Sequence, residues 1–253
     1  MTQKLTLTYI LKRLSDEDVK TFDTREFLTL FNLDESRGYH ALQRLETRGL
    51  VKRIARGHYV LGTELKEVLG QAFFLGTRLV DPSYVSFWSA LNFYGWTEQA
   101  PRVVLIANTR LSGRRRVGSH TFRFVRVKAN HLFGYMLVKQ GNLESPIADR
   151  EKAVVDSLWL PSCSGGTGEV MKALAASIGE LDADALISYA SRMDSRSLCS
   201  RLGYLLEKLR VDAAALQSSK STAYVKLDPA GPRRGRYISK WRVLDNTGEV
   251  TSC

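Results

Sequence analysis

The clearest chemistry in this sequence of 253 residues lies between Ser36 and Thr47. If that segment is helical, Ser36, His40, Gln43 and Thr47 share one side at 100° per residue, with Tyr39 and Arg44 on its flanks. The side so formed carries no carboxylate. Hydroxyl, imidazole, amide and guanidinium groups can donate to base edges and phosphate oxygens, whereas phosphate repels acids. The chemistry is therefore recognition of nucleic acid rather than bond making. Arg53 and Arg56 follow at what reads as a hairpin tip, where a wing would meet a phosphate backbone. Residues 99–143 hold nine basic residues and no acid, and Arg114, Arg115, Arg116, Arg123 and Arg126 form a candidate second basic surface within them. Another acid-free stretch, residues 229–244, carries Arg233, Arg234, Arg236, Lys240 and Arg242. A net charge of +11 and a pI near 9.7 favour an acidic partner such as nucleic acid. Taken singly, each run reads equally as a solvated face.

Groups that could make or break bonds are scattered. Ser164-Gly165-Gly166-Thr167-Gly168-Glu169 precedes a predicted helix and could turn amides toward a phosphate. It lacks the lysine and spacing of a P-loop, and a plain helix-opening loop is the simpler reading. His40, His58, His120 and His131 stand apart, with no His or Cys at metal-ligand spacing. Asp149-Arg150-Glu151-Lys152 gathers charge, but at the start of a predicted helix, where acids suit the dipole and the cap. Cys163, Cys199 and Cys253 form neither a disulfide framework nor a zinc rhythm and fit a reducing compartment. No catalytic residues, cofactor or metal are expected, and the protein is read as a non-enzyme. A metal-dependent nuclease stays open as an alternative, with Asp149 and Glu151 as its testable acids.

The elements that must position these groups follow from periodicity. Leu7, Ile10, Leu11 and Leu14 have the spacing of an amphipathic helix. Thr24 is placed to cap a second helix over 25–31, and a third runs over 35–48, closed by Gly49. Two β-prone runs, 51–54 and 58–61, flank Ala55-Arg56-Gly57 and predict a hairpin. Three helices and a hairpin within some sixty residues make the order of a winged helix-turn-helix. The fold class expected is α/β (α+β), with that unit at residues 1–63, a connecting helix or linker at 64–81, and a larger mixed α/β domain at 82–253. In the larger domain an aromatic-dense helix is expected over 84–96, a buried strand over 102–107, a basic loop over 111–116 and an alternating strand over 121–128. Helices are expected over 149–159, 169–178, 183–193 and 196–210, and a closing strand pair at 222–227 and 237–244. No apolar run approaches the ~20 residues of a membrane span, and Met1-Thr2-Gln3-Lys4-Leu5 lacks an apolar leader, so a cytoplasmic protein without membrane contact is expected.

In order along the chain, these segments resemble the AbiEi-type antitoxins of type IV toxin–antitoxin (abortive infection) systems. The resemblance rests on Tyr39-His40-Ala41-Leu42-Gln43-Arg44-Leu45-Glu46-Thr47-Arg48-Gly49-Leu50-Val51 and on the wing Arg56-Gly57-His58-Tyr59-Val60. It continues through residues 82–95 and Val103-Val104-Leu105-Ile106, then Ala148-Asp149-Arg150-Glu151-Lys152-Ala153-Val154-Val155-Asp156, and ends at Leu202-Gly203-Tyr204-Leu205-Leu206-Glu207. It implies a winged helix that binds and represses the operon's own promoter, and a larger domain that counteracts a cognate nucleotidyltransferase toxin. The partners implied are thus double-stranded promoter DNA and that toxin. A stand-alone winged-helix regulator without a toxin partner remains the alternative within the same fold.

Overall fold

Thr6 opens the first helix by accepting from the Tyr9 amide, and α1 (Leu7–Asp16) buries Leu7, Ile10 and Leu14 along one stripe. In this computed structural model, which describes residues 5–99 and 101–248, the chain then forms a short strand, β1 (Thr21–Asp23), absent from the sequence expectation. The opening Met1-Thr2-Gln3-Lys4 and Cys253 lie outside the described residues. Asp23, not Thr24, caps α2 (Thr24–Phe31). Its carboxylate accepts from the Glu26 amide at 2.8 Å while Glu26 reaches back to the Asp23 amide at 2.6 Å. This reciprocal box satisfies two open donors at once, and Thr24, displaced into the helix, donates to the Gly57 carbonyl instead.

Asp34 caps α3 (Glu35–Thr47). Its end is closed by Gly49 at φ +70°, with the Gly49 amide on the Glu46 carbonyl and the Leu50 amide on that of Leu45. β2 (Val51–Ala55) and β3 (His58–Leu61) form the hairpin, and β1 adds to it in the order β1-β3-β2. Ile10, Leu14, Phe27, Leu42, Leu45 and Tyr59 are among the residues that close a small core of their own.

Residues 64–81, read as a connector, are part of the larger body. α4 (Leu65–Gly70) and α5 (Ala72–Arg78) bury Val68 and Leu75 in its core, as do Leu79 and Val80 beyond them. A strand, β4 (Ser83–Val85), replaces the first part of the expected aromatic helix, which shrinks to α6 (Trp88–Phe93). The run failed as a helix because Tyr84 and Ser86 point together to one side while Val85 faces the other, a period of two. β5 (Val103–Asn108), β6 (Gly113–Val117), β7 (His120–Arg126), β8 (Tyr135–Gln140) and β9 (Leu143–Ala148) complete a mixed sheet ordered β6-β7-β5-β4-β9-β8. α5 covers one face so closely that a Cβ on Gly76 would lie 2.7 Å from the Phe122 ring. α7 (Arg150–Trp159) covers the other.

α8 (Thr167–Ser177), α9 (Ala183–Arg192) and α10 (Arg196–Lys208) follow near their expected positions. The expected closing pair is a three-stranded sheet. Residues 239–242 turn the second run back on itself, so β11 (Arg236–Ile238) and β12 (Val243–Asp245) form a hairpin, with β10 (Val225–Lys226) parallel to β12. The chain is thus a mixed α/β protein, and none of its described helices is long and apolar enough to cross a membrane.

The two bodies are clasped. Both Nη2 contacts of Arg78 to the Glu26 carboxylate measure 2.8 Å, its Nε donates to Thr21 Oγ1 at 3.0 Å, and Lys20 Nζ reaches the Asn142 carbonyl at 3.3 Å. Val60 is buried in the larger core, with Ile54 and Ala55 packed against it.

Candidate nucleic-acid interface

Orientation of α3 is set by its apolar side. Ala41, Leu42 and Leu45 are buried, and a Cβ on Gly38 would lie 2.0 Å from Leu28 Cδ2, so only glycine lets α2 and α3 cross this closely. Ser36, Tyr39, His40, Gln43, Arg44 and Thr47 are consequently all exposed, Tyr39 by 55%. Thr47 donates its hydroxyl to the Gln43 carbonyl at 2.8 Å, which leaves its oxygen as an acceptor and its methyl as a contact for bases. The structure corrects one detail of this face. Glu46 is exposed on its Tyr39 flank, and together with Tyr39 and Arg53 it acts electrostatically on Tyr59. Burial is nevertheless the main reason the Tyr59 phenol is held above its ordinary pKa.

The wing contributes Lys52, Arg53 and Arg56, all exposed. Arg53 is not at the tip: it stands opposite Tyr59 in the ladder, with its Nε donating to the Ala55 carbonyl at 3.3 Å. Arg56 and Gly57 form the turn, with Gly57 at φ +76°. Lys52 escaped the sequence reading, although its place next to buried Val51 in an alternating strand was a usable signal. Burial lowers the His58 pKa, with Arg78 and Arg115 working the same way against Asp23 and Glu26.

The five-arginine surface does not exist as one face. Residues 113–117 form an edge strand, β6, rather than a loop, because Gly113 to Val117 find ladder partners on β7. Arg114 pairs with Arg123 and Arg116 with Thr121, which puts these three arginines on the α7 side, where Arg123 Nη1 meets the Ser162 carbonyl at 3.4 Å. Arg115 pairs with Phe122 on the opposite face and lies 6.0 Å from the Phe124 ring. Alternation also separates Arg126 from Arg123, because Phe124 and Val125 are both buried between them and the basic period breaks there. Arg115 and Arg110 line a cleft of about 660 Å³ between the bodies, together with Arg56, His58, Arg78 and Glu144. One arginine of the five therefore joins the wing.

The charges at residues 149–156 are occupied by the protein itself. Asp149 caps α7 through the Lys152 amide at 2.8 Å and accepts from the Tyr189 hydroxyl at 2.9 Å. Burial raises its pKa against those bonds. Glu151 accepts from the Asp182 amide at 2.9 Å. Lys152 and Asp156, both fully buried, are ion-paired one turn apart. The second Asp156 oxygen accepts from Tyr84 at 2.9 Å and Ser86 at 2.7 Å. Burial, then the Asp156 charge, drives the Tyr84 phenol well above its ordinary pKa. The Lys152 ammonium also lies 4.5 Å from the Phe133 ring centre. In the Gly-rich loop, Thr167 at the start of α8 donates to Asp228 at 2.9 Å, which brings a carboxylate to the place a phosphate would need. Cys163 and Cys199 are buried free thiols with pKa values raised by burial. His120 bonds the Leu69 carbonyl at 2.8 Å, and His131 is buried against Trp159.

No family model matches the chain, and no curated protein does. Among solved structures, it is similar to the crystal structure of the RV2827C protein from Mycobacterium tuberculosis. The TM-score is 0.52 at 13% identity, over 94% of this chain and 91% of that one. The two share a fold.

Proposed function

We propose that this protein is a DNA-binding transcriptional repressor whose N-terminal 63 residues form a winged helix-turn-helix. The observation that carries the reading is the outer side of α3: six exposed side chains able to bond bases or phosphates stand beside a wing bearing Lys52, Arg53 and Arg56. A recognition helix needs an apolar side that fixes its tilt and a polar side left in water, and α3 has both. Arg110 and Arg115 extend the positive surface from the wing onto the larger body. Glu46 serves as a filter on the same helix, since a carboxylate beside the groove penalises poorly registered phosphates.

Joined to the antitoxin resemblance of the segments quoted above, this gives an autoregulating antitoxin of a type IV system, acting against a nucleotidyltransferase toxin. The DNA half is tested by a gel-shift series on the DNA upstream of its own gene, with Gln43→Ala and Arg44→Ala. Wild-type affinity in both variants would remove α3 as the reading helix. The antitoxin half is tested by co-expression with a nucleotidyltransferase encoded beside it. Growth arrest that this protein leaves unrelieved sinks that half and spares the first.

A further inference from the structure

The acid-free stretch at residues 229–244 takes no part in the duplex surface. It builds most of the sheet β10-β12-β11, and the fold sets two exposed tyrosines beside it. Lys226 and Tyr237 both stand beside Leu244 in the ladders, so the three share a face. The opposite face, with Val225, Val243 and Ile238, packs on the large core. On the outer side Tyr237 is 62% exposed and Tyr224 36%, and their rings meet edge to face with centres 4.9 Å apart. The Arg242 guanidinium lies over the Tyr224 ring at 5.5 Å. Arg233, Arg234 and Arg236 are exposed as well, and within the described residues none of these four arginines has an ion-pair partner. Carboxylates are near but engaged: Glu207 pairs with Lys240 at 2.6 Å, and Asp245 accepts from Tyr204 at 2.6 Å and Thr247 at 2.8 Å.

The backbone beneath is rigid. Trp241 is buried and donates to Glu207 at 2.6 Å, and a Cβ on Gly203 of α10 would lie 2.1 Å from its ring. Asn246 donates to the Asp228 and Pro232 carbonyls at 3.0 and 2.8 Å, which pins the arginine turn, and Arg201 holds the Lys226 carbonyl at 2.9 Å. The rings and cations are thus displayed without an ordering cost on binding.

Exposed rings interleaved with unpaired guanidinium groups match one ligand chemistry, a phosphate chain with bases free to stack. A duplex offers only base edges, its ring faces being covered by neighbouring pairs. A folded protein partner would call for a wider apolar centre than two tyrosines bordered by arginines. We propose that the outer face of the C-terminal three-stranded sheet binds single-stranded RNA, at a site separate from α3 and the wing. RNA is assigned because its loops and ends present splayed bases, and its 2′-hydroxyl gives phenol and guanidinium groups a further partner.

The test is fluorescence anisotropy of a labelled oligouridylate of about ten nucleotides on the full-length protein, with unlabelled duplex DNA saturating α3. Wild type should bind it; Tyr237→Ala should lose at least about tenfold, and Tyr237→Phe should keep most of the affinity because stacking needs the ring and not the hydroxyl. The double change Arg233→Ala/Arg234→Ala should lower the log–log salt slope by about one. Because Tyr237 is exposed, its variants should melt with wild type. The proposal is overturned by absence of binding in wild type, by unchanged affinity in Tyr237→Ala, by displacement of the oligouridylate by duplex, or by tighter binding of an oligodeoxythymidylate of equal length.

Discussion

On α3 the side chains of Ser36, His40, Gln43 and Arg44 stay in water, whereas on α7 Lys152 and Asp156, four residues apart, are wholly buried. Both segments are rich in polar residues, and α7 has the denser charge. The partners decide their use. Lys152 has Asp156, and Asp156 also has two hydroxyl donors, so this ion pair is sealed with its bonding capacity largely met inside the protein. On α3, Thr47 bonds back to its own helix, while the amide of Gln43 and the guanidinium of Arg44 are left open. A charge cluster that reads as a candidate active site has become scaffold, and a modest polar helix has become the surface available to a partner.

The sharpest way to break this contrast is to remove one member of the buried pair. Asp156→Leu should cost about 3–5 kcal/mol, because it strands the Lys152 ammonium in an apolar interior. The double variant Lys152→Met/Asp156→Leu should cost less than Asp156→Leu alone, since the stranded charge goes with it. Urea denaturation reads both, and a double variant worse than the single one would show that Lys152 is not held in place by this pair. Gln43→Ala and Arg44→Ala should do the reverse: up to about 1–3 kcal/mol of duplex affinity lost for a base-edge contact, and a melting temperature unchanged.

The wing separates the arginines by their place in the sheet. Arg56→Ala and Arg115→Ala should each flatten the salt dependence of duplex binding by about one unit of slope, and Arg114→Ala should leave it untouched. Filter binding across a salt series measures this. An Arg114 variant that behaves like the Arg115 variant would place duplex on the α7 side of the sheet, against the division that β6 imposes.

Much of the N-terminal body was legible in the sequence because its signals are local. Gly49 and the apolar spacing of α3 both act within a turn or two. Thr24 misled because it and Asp23 are each good caps, and Glu26 decides between them through a bond back to the Asp23 amide. The larger body was less legible where pairing is long-range. A run of three arginines has no local signature of a strand, and only β7, supplying a ladder from residue 120 onward, makes β6 one. Likewise, Tyr84 and Ser86 declare their face only through Asp156, some seventy residues away.

Proton uptake gives a gentler test of the sealed interior. His131 is buried, its Nδ1 has no partner, and burial together with Lys152 and Lys128 holds its pKa below 6.5. His58 is lowered too, chiefly by burial. Below that value the unfolded chain binds more protons than the folded one, so stability should fall as pH drops from about 6.5 toward the folded-state pKa values and should be level above it. His131→Phe keeps a ring against Trp159 and should shrink that acid-side loss in urea titrations at pH 7 and pH 5.5. An unchanged loss would assign it to His58 and the carboxylates.

The smallest expected effect comes from the one acid on the open helix. Glu46 is exposed beside Tyr39 and lies within electrostatic range of the wing through Tyr59. In the absence of DNA it has water and should add little to stability, so Glu46→Gln should leave the melting temperature alone. On a duplex it faces phosphate, and neutralising it should tighten binding to every sequence by a few tenths of a kcal/mol at low salt, with the gain vanishing as the Debye length shrinks. Because like-charge repulsion discriminates against poorly seated complexes, the gain should be larger on unrelated DNA than on the operator, and the ratio of the two affinities should fall. Glu46→Gln that weakens operator binding instead would mean that the carboxylate accepts from a base, as an acid does from cytosine N4, and would move Glu46 from the flank of the reading face into it.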